Sequence, residues 1–229
     1  MLNRTHPILC LVTDRRRLCA GCDDAATGRC VIAQVREAVE AGIDLVQIRE
    51  RDLDAGRLAD LVLEAVAVAR GSATRIVVND RLDIAVACGA HGVHLRADSV
   101  PASAARSIAP RGFLVGRSVH EAEEAAQAAT DVDYLIAGTV FATVSKPDAG
   151  PTLGDAGLAD VVRASAAPVL AIGGVTIERM PRVAAAGAAG VAGIGLFLSG
   201  DAAAARCRVG PLHAIVTAAR AAFDRLSRV

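Results

Sequence analysis

The sequence predicts an α/β protein folded as a single (β/α)8 TIM barrel spanning 1–229, and three observations predict it. Short β-branched runs alternate with alanine-rich helical stretches eight times, the pattern of an all-parallel sheet with right-handed crossovers. The length, 229 residues, falls in the range of roughly 200–250 that such barrels occupy as one unit. No Gly-x-Gly-x-x-Gly fingerprint follows the first run, which weighs against the alternative, an open doubly wound sheet.

The elements follow in order. Strands are expected at 8–13, 45–49, 75–79, 92–95, 113–118, 134–138, 169–173 and 190–195. Helical spacing of apolar positions marks 30–41 and 56–70. Shorter helices fit 82–88, 101–109, 121–129, 158–165, 176–186 and 211–227. Val12-Thr13-Asp14-Arg15 is expected to lead into a long polar loop. Pro101 suits a first helical turn, and Thr176 offers a capping oxygen. Gly42, Gly89 and Gly187 stop helices just before the next strand.

Composition narrows the function. With 25 basic and 25 acidic side chains the formal charge is zero, which argues against a nucleic-acid or membrane-surface binder. Aromatic residues are 2% of the chain, too few for a base-stacking platform. No run reaches the ~18 apolar residues that suggest a membrane span, and the first apolar run is too short for a signal peptide. A cytoplasmic location is expected. Lys146 is the one lysine in an arginine-rich chain, which hints that its position needs an ammonium.

Of the 6 cysteines, Cys19, Cys22 and Cys30 lie close together. A metal reading needs a fourth ligand from Cys10 or a distant residue. The plainer reading is a loop of thiols that stay reduced.

Catalytic residues of such a barrel stand at the strand C-termini. The second strand ends in Gln47-Ile48-Arg49-Glu50-Arg51, and alternation aims Gln47, Arg49 and Arg51 the same way. The third and fourth end in Asn79-Asp80 and in His94-Leu95-Arg96-Ala97-Asp98; the fifth ends in Arg117-Ser118-Val119-His120. The sixth leads to Thr143, Ser145 and Lys146; the seventh to Gly173-Gly174; the eighth to Gly193-Ile194-Gly195. Cations, hydroxyls and close-approach glycines together suit a phosphorylated small molecule. Asp80 with Asp98 suits Mg2+. Each has a plainer reading: Arg49 and Arg51 pairing with Glu50 or Asp52, Asp80 capping a helix, His94 packed in the interior, His120 starting a helix.

These residues resemble the thiamine phosphate synthase and TenI superfamily. The likeness rests on Gln47-Ile48-Arg49-Glu50-Arg51, Val78-Asn79-Asp80, Gly92-Val93-His94-Leu95, Gly116-Arg117-Ser118, Phe141-x-Thr143-x-Ser145-Lys146 and Ile172-Gly173-Gly174. It implies a transferase of thiamine biosynthesis that joins a hydroxymethylpyrimidine diphosphate to a thiazole phosphate and releases pyrophosphate. Gln47 would meet the pyrimidine. Arg49, Arg51, Asn79 and Ser118 would hold the diphosphate, with Mg2+ on Asp80 and Asp98. Thr143, Ser145, Lys146 and Gly173, with Gly174 and Gly195 beside them, would hold phosphate. Arg49, Arg51 and Lys146 would neutralise the leaving group. Partners would be the two small molecules, with no nucleic acid or membrane, and assembly into a homo-oligomer is compatible.

The chain also departs from the synthase pattern. Arg51 stands for a lysine, Arg96 for a glycine, and Asp98 comes one residue early. A TenI-type thiazole tautomerase is the alternative; Thr139 stands where that branch has its histidine, leaving His94 and His120 as bases. A non-catalytic phosphate-binding regulator is the third reading.

Overall fold

The computed structural model describes residues 6–128, 130–143, 151–199 and 207–224. The strands are β1 (Ile8–Val12), β2 (Leu45–Ile48), β3 (Arg75–Asn79), β4 (Gly92–Leu95), β5 (Leu114–Val119), β6 (Tyr134–Ala137), β7 (Val169–Ala171) and β8 (Gly190–Gly193). Each pairs in parallel with the next, and β1 closes on β8 with Ile8 opposite Gly190, giving a closed barrel. The helices are α1 (Arg15–Leu18), α2 (Asp24–Ala41), α3 (Ala55–Ala69), α4 (Leu82–Ala87) and α5 (Ala102–Ile108). They continue with α6 (Ala122–Ala128), α7 (Gly154–Ala164), α8 (Met180–Ala185) and α9 (His213–Asp224).

Strand alternation splits the core in two. Ile8, Cys10, Val12, Leu45, Val77, Leu114, Tyr134, Ile136, Leu170 and Ala192 fill the barrel interior. Leu9, Leu11, Val46, Ile48, Ile76 and Val78 face outward and pack under the helices. Burying each such side chain fully contributes about 1.5–3 kcal/mol. Tyr134 is the largest interior group, and it fits because Gly116 on the neighbouring strand has no Cβ to overlap its ring.

Several expected boundaries moved for identifiable reasons. The polar loop after β1 instead holds α1, capped by Asp14 through Arg17 N at 3.1 Å. The helix expected at 30–41 begins at Asp24, because the Asp23 carboxylate caps it through Ala26 N at 2.6 Å. The helix expected at 158–165 begins at Gly154. The one expected at 176–186 is split into a 3-10 turn (Ile177–Arg179) and α8, with Pro181 at the junction removing a backbone donor. Thr176 makes no capping bond to the backbone. Gly42, Gly89 and Gly187 do stop helices, with φ of 75°, 64° and 84°.

The cysteine loop is a second correction. Cys19 and Cys22 are joined as a disulfide, in place of the reduced pair expected from the sequence.

Candidate functional site

A closed parallel barrel delivers every strand's C-terminus to one end, so the described polar positions at the strand ends share a rim. Gln47 stands near the end of β2. Its side chain is buried in the mouth of the barrel, where Nε2 donates to Asn79 Oδ1 at 2.9 Å. Its Oε1 is buried and, among the described residues, has no hydrogen-bond partner. An orphaned buried carbonyl costs about 1–3 kcal/mol, so a donor delivered from outside is the natural complement.

Arg49 follows β2 and is half-buried; Arg51 lies farther out, on an exposed turn. The strand stops at Ile48, so alternation no longer governs Arg51. Burial, followed by the neighbouring Arg51 charge, lowers the Arg49 guanidinium from its ordinary value. Among the described residues neither arginine forms an ion pair: Asp52 is taken by Arg15 at 2.6 Å and Arg16 at 2.5 Å. The surface-pairing reading of these two cations is therefore overturned.

Glu50, between them, is a residue that sequence reading missed. It is buried, accepts from Thr13 Oγ1 at 2.6 Å and from Arg15 N at 3.1 Å, and burial pushes its carboxyl up to about 7. Arg15 also bonds Asp24 at 3.0 Å. This knot fixes the β1–α1 turn and the start of α2 to the segment carrying Arg49. The signal that would have found it is a carboxylate flanked by arginines at a strand end.

Asp80 has φ of 63°, a left-handed conformation that aspartate tolerates better than most residues. It does not cap α4, whose first turn has no side-chain cap. Its Oδ1 accepts from the Ser99 hydroxyl, and its Oδ2 lies 3.8 Å from Arg96 Nη1. The exposed Asp98 carboxylate binds the same guanidinium. Two carboxylates thus converge on one cationic position beside a hydroxyl. That all-oxygen donor set fits Mg2+, which takes one or two carboxylates and completes its shell with water and phosphate oxygens. A cleft of about 230 Å3 lined by Glu50, Arg51, Asn79, Asp80 and Arg96 adjoins this pair.

Ser118 sits on β5, where its Oγ is 2.9 Å from His94 Nε2. His94 Nδ1 lies 3.3 Å from the Tyr134 hydroxyl, and the two rings stack at 5.6 Å. Burial lowers the His94 imidazole to about 3, so it is neutral: the packed-histidine reading, with no poised base. His120 Nδ1 is 2.5 Å from the Gly138 carbonyl.

Across the mouth, Thr143 follows β6; Ser145 and Lys146 lie outside the described residues. The two ends of this loop are pinned together, with Leu153 N donating to Thr139 O at 3.0 Å. Gly173 and Gly174 have φ of 95° and 62°, and a Cβ on either would lie 2.6 Å from the loop, at Thr139 Cγ2 and at the Phe141 and Ala142 carbonyls. Both glycines are therefore required by conformation and by space. Gly195 opens a 3-10 turn (Gly195–Phe197) after β8, and the Arg17 guanidinium lies against it. Arg17 is a second group that the sequence did not single out.

Comparison with known proteins identifies the family to which this barrel belongs. Residues 9–197 match the family described as thiamine monophosphate synthase. The chain is 43% identical over 166 residues to the thiamine-phosphate synthase of Methanoregula boonei, covering 72% of this chain and 77% of that one. It is 35% identical over 213 residues to the thiamine-phosphate synthase of a Roseiflexus species, covering 93% of this chain and 86% of the other. The solved thiamine phosphate pyrophosphorylase of Pyrococcus furiosus superposes with a TM-score of 0.77 at 28% identity, over 97% of this chain and 98% of that one. The chain belongs to the thiamine monophosphate synthase family.

Proposed function

We propose that the protein is a thiamine-phosphate synthase, a transferase that joins the methylene carbon of hydroxymethylpyrimidine diphosphate to the ring nitrogen of thiazole phosphate, releasing pyrophosphate. The observation that carries the reading is the buried Oε1 of Gln47, without a hydrogen-bond partner among the described residues, in a barrel mouth that also holds Arg49, within a chain 43% identical to a synthase. An exocyclic amino group on a pyrimidine supplies the missing donor.

The carbon–oxygen bond to the diphosphate breaks first, and the electron pair leaves with the phosphate. The aminopyrimidine ring delocalises the resulting cation, and the thiazole nitrogen supplies the pair for the new bond. This sequence needs positioning and charge neutralisation, with no strong base. Arg49 and Arg51, both without ion pairs among the described residues, face the growing charge on the diphosphate. Asn79 is oriented by Gln47 and stands ready for a phosphate oxygen.

With the Tyr134 hydroxyl donating to His94 Nδ1, the neutral ring donates a hydrogen bond from Nε2–H to Ser118 Oγ. The Ser118 hydroxyl proton is then available to the substrate. The thiazole phosphate takes the other side of the mouth, at Thr143, Gly173, Gly174 and Gly195; Ser145 and Lys146, which the resemblance gives the same role, lie outside the described residues. Asp80 and Asp98 would hold Mg2+, which when bound neutralises diphosphate charge. With burial lowering the His94 imidazole to about 3, His120 is the base left to the tautomerase alternative.

The test is direct. Folded protein with both substrates and Mg2+ is expected to yield thiamine phosphate and pyrophosphate in equal amounts. Absence of both products overturns the assignment, and deuterium exchange into a thiazole carboxylate phosphate would favour the tautomerase instead.

A further inference from the structure

The chemistry proposed above uses no cysteine, yet three of the chain's 6 cysteines converge on one point and a fourth is bonded to one of them. Cys19 ends α1 and is buried. Cys22 follows in the turn, with its Cα 5.8 Å from that of Cys19 and its sulfur bonded to the Cys19 sulfur. Cys30 stands on α2, and Cys207 on the segment that leads into α9. The sulfurs of Cys19, Cys30 and Cys207 all lie within 4.8 Å of one another. The remaining two are elsewhere: Cys10 points into the barrel and Cys88 ends α4.

The geometry points to a tetrathiolate zinc site formed by Cys19, Cys22, Cys30 and Cys207 once a thiol or phosphine reductant, itself oxidised by two electrons, has opened the Cys19–Cys22 disulfide to two thiols. Four sulfurs arranged tetrahedrally around Zn2+ at about 2.3 Å stand about 3.8 Å apart, a spacing that the limit of 4.8 Å among Cys19, Cys30 and Cys207 accommodates, with Cys22 tethered three residues from Cys19. An iron–sulfur cluster spreads its thiolates over several irons and needs them farther apart. Soft thiolates select zinc over the hard cation proposed at Asp80. Four thiolates on Zn2+ leave two negative charges in excess, and Arg29 and Arg208 adjoin the ligands in sequence.

The backbone is already arranged for such a staple. Arg208 N donates to Leu18 O at 2.8 Å, and Ser199 N donates to Arg208 O at 2.9 Å, which seats Cys207 beside the end of α1. One helical turn beyond Cys30, Gln34 Nε2 donates to Phe197 O at 3.1 Å, in the turn after β8. Zinc would therefore tie the β1–α2 connection to the β8–α9 connection, the two neighbours at the seam where the barrel closes. Arg17 and Gly195 lie at that seam, so the metal would hold a wall of the mouth without touching substrate.

The experiment uses the full chain, purified without chelator and reduced with a phosphine. Metal analysis is expected to find one zinc per chain. Cobalt substituted for it should give thiolate-to-metal charge transfer and the intense visible bands of tetrahedral coordination. Cys30→Ser and Cys207→Ser should lose the metal, whereas Cys88→Ala keeps it. X-ray absorption on the wild type, counting four sulfur neighbours, keeps the test decisive if a variant fails to fold. Reduced, folded wild type that takes up no zinc overturns the proposal. So does iron with acid-labile sulfide, or a Cys207→Ser chain with undiminished zinc.

Discussion

Gln47 donates to Asn79 across the β2–β3 seam at 2.9 Å and keeps its own carbonyl oxygen buried without a partner among the described residues. One side chain thus orients a neighbour and offers an acceptor. Gln47→Leu is expected to leave stability unchanged or slightly raised, since the orphaned carbonyl disappears. It should lower kcat/KM for the pyrimidine diphosphate by about 10–200-fold, the cost of about 1.5–3 kcal/mol of lost polar contact. Steady-state kinetics beside thermal unfolding separates the two effects.

The carboxylates that share Arg96 differ in exposure, with Asp80 at 32% and Asp98 at 68%. Asp80→Asn is therefore expected to abolish Mg2+-dependent turnover, by at least about 100-fold. Asp98→Asn should chiefly raise the Mg2+ concentration needed for half-maximal rate, by about tenfold. Arg96→Gln frees both carboxylates and should lower that concentration. A magnesium titration of the three variants checks the order.

Backbone shape dominates at Gly173. Its φ of 95°, and Thr139 Cγ2 lying 2.6 Å from where a Cβ would stand, penalise any side chain. Gly173→Ala is expected to destabilise the fold by about 1–3 kcal/mol and to raise KM for the thiazole phosphate more than for the pyrimidine. Chemical denaturation and two-substrate kinetics read the two consequences.

Glu50 carries a pH signature. Burial pushes its carboxyl from an ordinary 4.5 up to about 7, so the folded state holds its proton longer than the unfolded chain does. The associated stability is fully present below pH 4.5 and is lost as the pH rises toward about 7. Glu50→Gln keeps the acceptor for Thr13 and cannot ionise. Its stability relative to wild type should therefore rise across that window, by about 3 kcal/mol. Urea unfolding at several pH values measures the difference.

The barrel was readable because its evidence is local. Alternation within 45–49 and the helical period of 56–70 appear within a few residues, and strand ends in a parallel barrel share one rim by topology alone. Gln47, Arg49, Asn79, Asp80, Ser118, Gly173 and Gly174 could be selected on that ground.

What closure of the barrel decided is a matter of partners distant in sequence. Glu50 becomes a buried acid only when Thr13 and Arg15 fold over it. Arg17 reaches Gly195, and Cys207 reaches Cys19 and Cys30, only because β8 pairs with β1. Periodicity and side-chain chemistry are properties of neighbouring residues, and so the sequence alone determined them. Burial, ion pairing and metal geometry depend on which surfaces meet, and only the folded chain brings those together.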